Sequence, residues 1–238
     1  MNNLEFLTTL KKSFLKYLET GARSNEKLKI LHGAAATDIL EKLNVNSREN
    51  YSVFSLGYGK NKEQKITGRY IDKSVDITVC KNNLPVAGIA VKFVMSNYMQ
   101  NSNNYFENML GETANIRCGN IPYFQIFIIP DKVPYFDINK KISKWESINS
   151  HNLKKYIKLS NDDTNIYLHT PNKTLISIIN ISGDETPIYD TLQKYKDYYL
   201  HTPFSLQFSD KKFAFGNTII YNDYESFSQK IVYSILSI

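Results

Sequence analysis

The apolar positions of the first half of the chain follow two periods. In LEFLTTLKKSFLKYLE, residues 4–19, Leu4, Leu7, Leu10, Phe14, Tyr17 and Leu18 fall on one helical stripe, and Gly21 follows as a stop. HGAAATDILEKL, residues 32–43, predicts a second helix whose small residues permit close packing. The polar stretch 46–68 reads as a loop or short hairpin. The period then changes to two: Val75, Ile77 and Val79 share a face in a strand over about 71–80. Asn82-Asn83 suits a turn with positive φ, and LPVAGIAVKFV predicts a return strand buried on both faces. A helix over about 101–117 carries an apolar arc of Tyr105, Phe106, Met109, Leu110, Thr113, Ala114 and Ile116. IPYFQIFIIP then predicts a buried strand over about 122–129, closed by Pro130. Strand, strand, helix, strand is the order of an α/β core.

The second half alternates less cleanly. TNIYLHT, KTLISIINI, FSLQF and KKFAFGNTIIY read as strands. PIYDTLQKYKDYYL reads as a helix with Pro187 near its start, and YESFSQKIVYSIL as a closing helix. YLHTP occurs at 167–171 and again at 199–203, but the flanks do not match, so it is read as coincidence.

Composition narrows the class. The 238 residues fit one domain spanning 1–238, with a core over about 32–130 and an elaboration over about 131–238. No apolar run approaches the ~20 residues a membrane-spanning helix needs, and the N-terminus lacks signal-peptide features, so no membrane partner and a cytoplasmic location are expected. Cys80 and Cys118 lack metal-ligand spacing. The net charge of +6 favours acidic partners only mildly, because the richness in Asn, Lys, Ile and Tyr reflects AT-rich coding. His32, His151, His169 and His201 show no zinc spacing, and there is no P-loop, G-x-G-x-x-G or G-x-S-x-G motif.

The chemistry concentrates in the central hairpin. A turn centred near Asn83 sets Asp76 opposite Ala90, within a residue, and puts both on the face of Lys92. A lysine on an apolar strand is costly unless a charge meets it, and Asp76 is the nearest candidate. A carboxylate can ligate Mg2+, and a lysine can position water or stabilise phosphate charge.

With VDI carrying Asp76, AVK carrying Lys92, and then a helix and a buried strand, residues 71–129 resemble the PD-(D/E)XK nuclease superfamily. The helical segment NNYFENMLGETAN resembles the helix after the catalytic strand in type II restriction endonucleases. The resemblance implies a mixed α/β (α+β) restriction-endonuclease-like sheet flanked by helices. It also implies Mg2+-dependent, sequence-specific hydrolysis of double-stranded DNA to 5′-phosphates, a homodimer matched to palindromic sites, and a separately encoded methyltransferase. The chain departs from the motif at Ala90, where the family has its second acid. Either the acid has moved to the helix, with Glu107 the first choice and Glu112 the second, or the site is inactive. On the first account Asp76, Lys92 and Glu107 are catalytic, and Asp76, Glu107 and Glu112 are the metal ligands. Glu41 could support the site from the preceding helix, or be a solvated acid beside Lys42. Asn97, Asn101, Asn103, Asn104 and Asn108 could contact bases or phosphates, or cap the helix. Residues 139–158 are basic and could track a DNA backbone, or be a solvated face. A nuclease of repair or toxin type, a nucleic-acid-binding module with a decayed site, and a structural protein with a buried Asp76–Lys92 pair are the alternatives.

Overall fold

The computed structural model describes residues 1–183 and 189–238. Among these, α1 (Asn3–Thr20) opens with a reciprocal cap in which the Asn2 side chain accepts from the Glu5 amide and Glu5 accepts from the Asn2 amide. It stops at Gly21, whose φ is +82°. Its buried face runs through Phe6, Leu10, Phe14, Tyr17 and Leu18, whereas Leu4, expected on that stripe, is exposed. α2 (Glu26–Asn46) begins earlier than its small-residue stretch suggested.

The polar stretch before the central hairpin is more structured than expected. It holds β1 (Tyr51–Ser55) and β2 (Gln64–Thr67). The single strand expected over 71–80 is two, β3 (Asp72–Val75) and β4 (Ile77–Lys81), with a bend at Asp76. The bend marks a change of partner. β3 pairs antiparallel with β2 in a separate two-stranded sheet, while β4 lies between β1 and β5 (Leu84–Phe93) in the main sheet. The β4–β5 turn uses Asn82 and Asn83 at φ +53° and +66°, as the sequence indicates. The register places Ile77 opposite Ile89, which sets Asp76 level with Ala90.

α3 (Tyr98–Arg117) crosses over to β6 (Tyr123–Pro130), which pairs parallel with β5 and is buried at every position. β7 (Lys132–Phe136) and β8 (Ile142–Ser147) form a hairpin, and α4 (Ser150–Leu159) leads to β9 (Lys173–Gly183), parallel to β6. After α5 (Leu192–His201), β10 (Phe204–Phe208) and β11 (Ile219–Tyr221) pair with different stretches of β9, one antiparallel and one parallel. α6 (Tyr224–Leu236) closes the described chain. The main sheet has seven strands, β1-β4-β5-β6-β9-β10 with β11 also on β9, so the fold is mixed α/β. Residues 164–170 form turns rather than a strand, and only 219–221 of the stretch 211–221 are strand. Pro187 lies outside the described residues.

The sheet separates two apolar cores. Ile77, Val79, Ile89, Val91 and Ile126 pack with α1, α2, α5 and α6, while Phe127, Ile129, Ile176 and Ile178 pack with α3 and α4. A third, small cluster of Ile66, Val75, Ala90, Ile116 and Tyr123 lies under the β2–β3 hairpin. Asn115 on α3 fixes the tip of that hairpin: its Oδ1 accepts from the Tyr70 and Ile71 amides, and its Nδ2 donates to the Ile71 carbonyl. No described helix is long and apolar enough to cross a membrane.

One close approach positions the loop before β2. Gly57, at φ +73°, sits on α2 so tightly that a Cβ would lie 1.9 Å from the Lys29 carbonyl oxygen. Across the contact, a Cβ on Gly33 would lie 2.5 Å from the Gly57 oxygen. Gly57→Ala should therefore destabilise the fold by about 3 kcal/mol through overpacking and strain. Gly111→Ala, exposed on α3 with open space at its Cβ, should stabilise by ~0.5–1 kcal/mol. Urea unfolding of both variants checks this, and a wild-type midpoint for Gly57→Ala would refute the packing argument.

Candidate active site

The break between β3 and β4 puts a carboxylate where three strands converge. The Asp76 Oδ2 accepts from the Val91 amide at 2.7 Å, and the Asp76 carbonyl accepts from the buried Ser55 hydroxyl at 2.8 Å. These two bonds fix the Asp76 backbone and one carboxylate oxygen. Asp76 opens into a cleft of about 410 Å3 whose lining includes His32, Lys92, Tyr105, Asn108, Glu112 and Gln125.

Burial is the main influence on Asp76, pushing its pKa up to about 6, and the charge of Glu112 adds to it. The Val91 amide, Lys73 and Lys92 act in the opposite direction. Glu63, in the residue before β2, comes level with Asp76 because Gln64 pairs with Val75. Burial, then the Asp76 charge, raise its pKa. His32, on α2, is fully buried, and burial depresses its pKa to about 4. Neither of its ring nitrogens has a hydrogen-bond partner among the described residues. One ligand atom from each of His32, Glu63 and Asp76 lies within 4.8 Å of the others.

Of the two helix glutamates considered as replacements for the acid absent at Ala90, Glu112 is the one that lines the cleft. Tyr105, Asn108, Met109 and Glu112 recur at helical spacing along the face of α3 that lines the cleft. Glu112 Oε1 pairs with Lys73 Nζ at 2.6 Å, and Oε2 accepts from the Tyr123 hydroxyl at 3.3 Å. Glu107, the first choice from sequence, is exposed and does not line the cleft. Five residues of helix, about 140° of rotation, separate it from the phase of Glu112.

Lys92 lies in the cleft, but not in an ion pair with Asp76. Its side chain is exposed and its ammonium sits over the Tyr105 ring, 4.6 Å from the centroid. Ala90 packs in the small apolar cluster and also borders the cleft, as does Gln125, which is buried and paired with Ala90 across β5–β6. Glu41 is exposed; the buried acid of α2 is Asp38, which binds Lys42 and the Tyr224 hydroxyl.

The asparagines divide. Asn97 donates to the Phe136 carbonyl and accepts from its amide, so its side chain is committed to the fold. Asn101 donates to the Asn97 carbonyl. Asn103 accepts from Lys155, Asn104 is exposed, and Asn108 lines the Asp76 cleft. In the basic stretch, Glu146 is buried and caps α3 through the Met99 amide.

His32, Glu63, Gln125 and Asn115 escaped sequence reasoning. Gln125 is the one polar residue in YFQIFIIP, and His32 heads a run of small apolar residues; both were visible as polar groups in apolar surroundings. Comparison with known proteins gives no matching family model, no matching curated protein and no matching solved structure.

The raised Asp76 pKa has a consequence for stability. Its native pKa lies above the ordinary value of 3.8. The native state therefore binds more protons between about pH 4 and 6, and stability falls as pH rises through that window. Asp76→Asn removes this penalty, and its amide oxygen can still accept from Val91. In metal-free buffer the variant should be more stable than wild type by ~2 kcal/mol at pH 7, with the difference vanishing near pH 4. Denaturant unfolding at the two pH values tests the sign.

Proposed function

We propose that the chain is a divalent-metal-dependent nuclease acting on double-stranded DNA, of the type II restriction endonuclease kind. The observation that carries the reading is the meeting, in one cleft, of Asp76 held by the Val91 amide, Glu112 from α3 and Lys92 from β5. The motif resemblance requires an acid, a second acid and a lysine, and Glu112 fills the role left open by Ala90.

The donor set fits a divalent cation. Asp76 keeps Oδ1 outside its bond to Val91, and the Glu112 carboxylate is balanced by a single lysine, Lys73, at 2.6 Å. Asp76 and Glu112 would hold the cation, Mg2+ in the family resembled, and when bound it would supply Lewis-acid charge at the scissile phosphate. The protein's own groups do the rest. The Lys92 ammonium, steered by the Tyr105 ring, faces the cleft and is placed to hold a phosphate oxygen or the attacking water. Lys73 holds Glu112 by an ion pair that a bound cation would have to displace. Hydrolysis adds water oxygen to phosphorus and breaks the bond to the 3′ oxygen, which leaves with a proton. Asn103, Asn104 and Asn108 remain as candidate DNA contacts, and two copies of the chain would match a palindromic site.

The test is incubation of the purified chain with mixed-sequence double-stranded DNA and Mg2+ or Mn2+. Discrete fragments support the proposal. A continuous smear indicates a non-specific nuclease, and DNA that is retarded but uncut indicates a binding module. In a cleaving protein, Glu112→Gln and Lys92→Ala should each lower the rate by ~100-fold or more, whereas Glu107→Gln should stay within about twofold. Loss of cleavage in Glu107→Gln, with Glu112→Gln unaffected, would reverse the assignment of the second acid.

A further inference from the structure

His32 lines the cleft, and neither folding nor the proposed hydrolysis explains its placement. Leaving a buried imidazole without partners costs on the order of 1–3 kcal/mol for each unsatisfied polar atom. The ring is fully buried and lines the Asp76 cleft. Its nearest ligand-bearing neighbours are two carboxylates, Glu63 and Asp76, with the three ligand atoms mutually within 4.8 Å. Donors on one ion at ~2.0–2.2 Å lie at most a little over 4 Å apart, so a small rotamer adjustment closes the set. Each ligand comes from a separately anchored element. His32 is on α2, Glu63 follows the loop that Gly57 seats against α2, and Asp76 is held by Val91 and Ser55.

We infer that His32, Glu63 and Asp76 form a binding site for a first-row divalent transition ion, for which Mn2+ serves as the probe. The donor chemistry sets the class. Mg2+ and Ca2+ take oxygen ligands, whereas imidazole with carboxylates suits Mn2+, Fe2+, Co2+ or Zn2+. Two carboxylates and one neutral imidazole give the site a net charge of −2, which a divalent ion balances. Asp76 belongs to both this site and the acid pair of the proposed nuclease, so the inference shares that residue. It concerns cation choice, not DNA cleavage, and its measurement involves no DNA.

The experiment is calorimetric titration of chelator-stripped protein with MnCl2 and, separately, with MgCl2. It is run on wild type, His32→Leu, Glu63→Gln and Glu41→Gln. Wild type should bind one Mn2+ per chain at this site at least ~10-fold more tightly than Mg2+. His32→Leu should weaken Mn2+ by more than ~100-fold, beyond the ~10–100-fold range of a lost outer hydrogen bond, and should abolish the preference over Mg2+. Glu63→Gln should weaken Mn2+ similarly, and Glu41→Gln should leave it unchanged. Because His32→Leu removes an unpartnered polar ring from a fully buried position, its thermal midpoint in metal-free buffer should equal or exceed wild type. Equal Mn2+ affinity in wild type and both site variants overturns the inference, as does equal wild-type affinity for the two ions. Mn2+ binding that depends on His32 in a protein that cuts no DNA leaves the site standing and removes the nuclease reading; DNA cleavage by a protein whose Mn2+ affinity is the same in wild type and His32→Leu does the reverse.

Discussion

The bond from the Val91 amide to Asp76 Oδ2 is the constraint on which the centre of the molecule depends. The chain must leave the β2–β3 hairpin and enter the main sheet within one residue, and Asp76 is that residue. A bend there releases backbone groups from the regular ladder. The Asp76 side chain meets one of them, the Val91 amide, and Ser55 at the end of β1 meets the Asp76 carbonyl. One carboxylate thus serves as a structural clip for β5 and presents its second oxygen to a cleft. The same placement withdraws it from water, which is why burial dominates its raised pKa.

The groups around Asp76 share one pattern. Glu63 and Glu112 add negative charge to a partly desolvated space, and Lys73 and Lys92 offset only part of it. His32 stays neutral because burial lowers its pKa, so it offers lone-pair density instead of a balancing charge. A core selected for stability alone would hold leucine or valine in these places. Clustered acids facing an unpartnered imidazole carry a desolvation cost that apolar side chains in the same places would not. The remainder of the molecule compensates with well-formed cores on both faces of the sheet and a strand, β6, buried along its whole length.

Periodicity carried most of the fold. α1, the Asn82-Asn83 hairpin, α3, β6, β9, β10 and α6 follow from local pattern because each has a long apolar stripe or a turn with a defined chemistry. Asp76 and Lys92 were legible for the same reason: hairpin register fixes which side chains share a face. The break at Asp76 was not legible, since Val75, Ile77 and Val79 continue the alternation while the partner strand changes. β1 and β2 were hidden in a polar stretch because they lie at a sheet edge and in a small side sheet. Glu63 and His32 lie 13 and 44 residues before Asp76; the β2–β3 pairing brings the first to it, and tertiary packing of α2, held close at Gly33 and Gly57, brings the second. The Asn97 side chain, read as a possible DNA contact, is spent on Phe136, a tertiary contact that composition cannot reveal.

The packing around Ala90 and the placement of Glu112 on α3 are connected. Its side chain faces Ile66, Val75, Ile116 and Tyr123, a pocket closed by the β2–β3 hairpin and pinned by Asn115. A carboxylate there would meet the apolar carbon of that cluster, at a desolvation cost, and would add a further negative charge beside Asp76 and Glu112. α3 crosses the same region with Tyr105, Asn108, Met109 and Glu112 in one phase. Only Glu112 on that face carries a charge, and Tyr123, itself a neighbour of Ala90, donates to it. Side-chain packing over Ala90 and carboxylate placement on α3 are therefore two results of one arrangement: the hairpin that closes over the strand position also supplies Lys73, which holds Glu112 at the cleft.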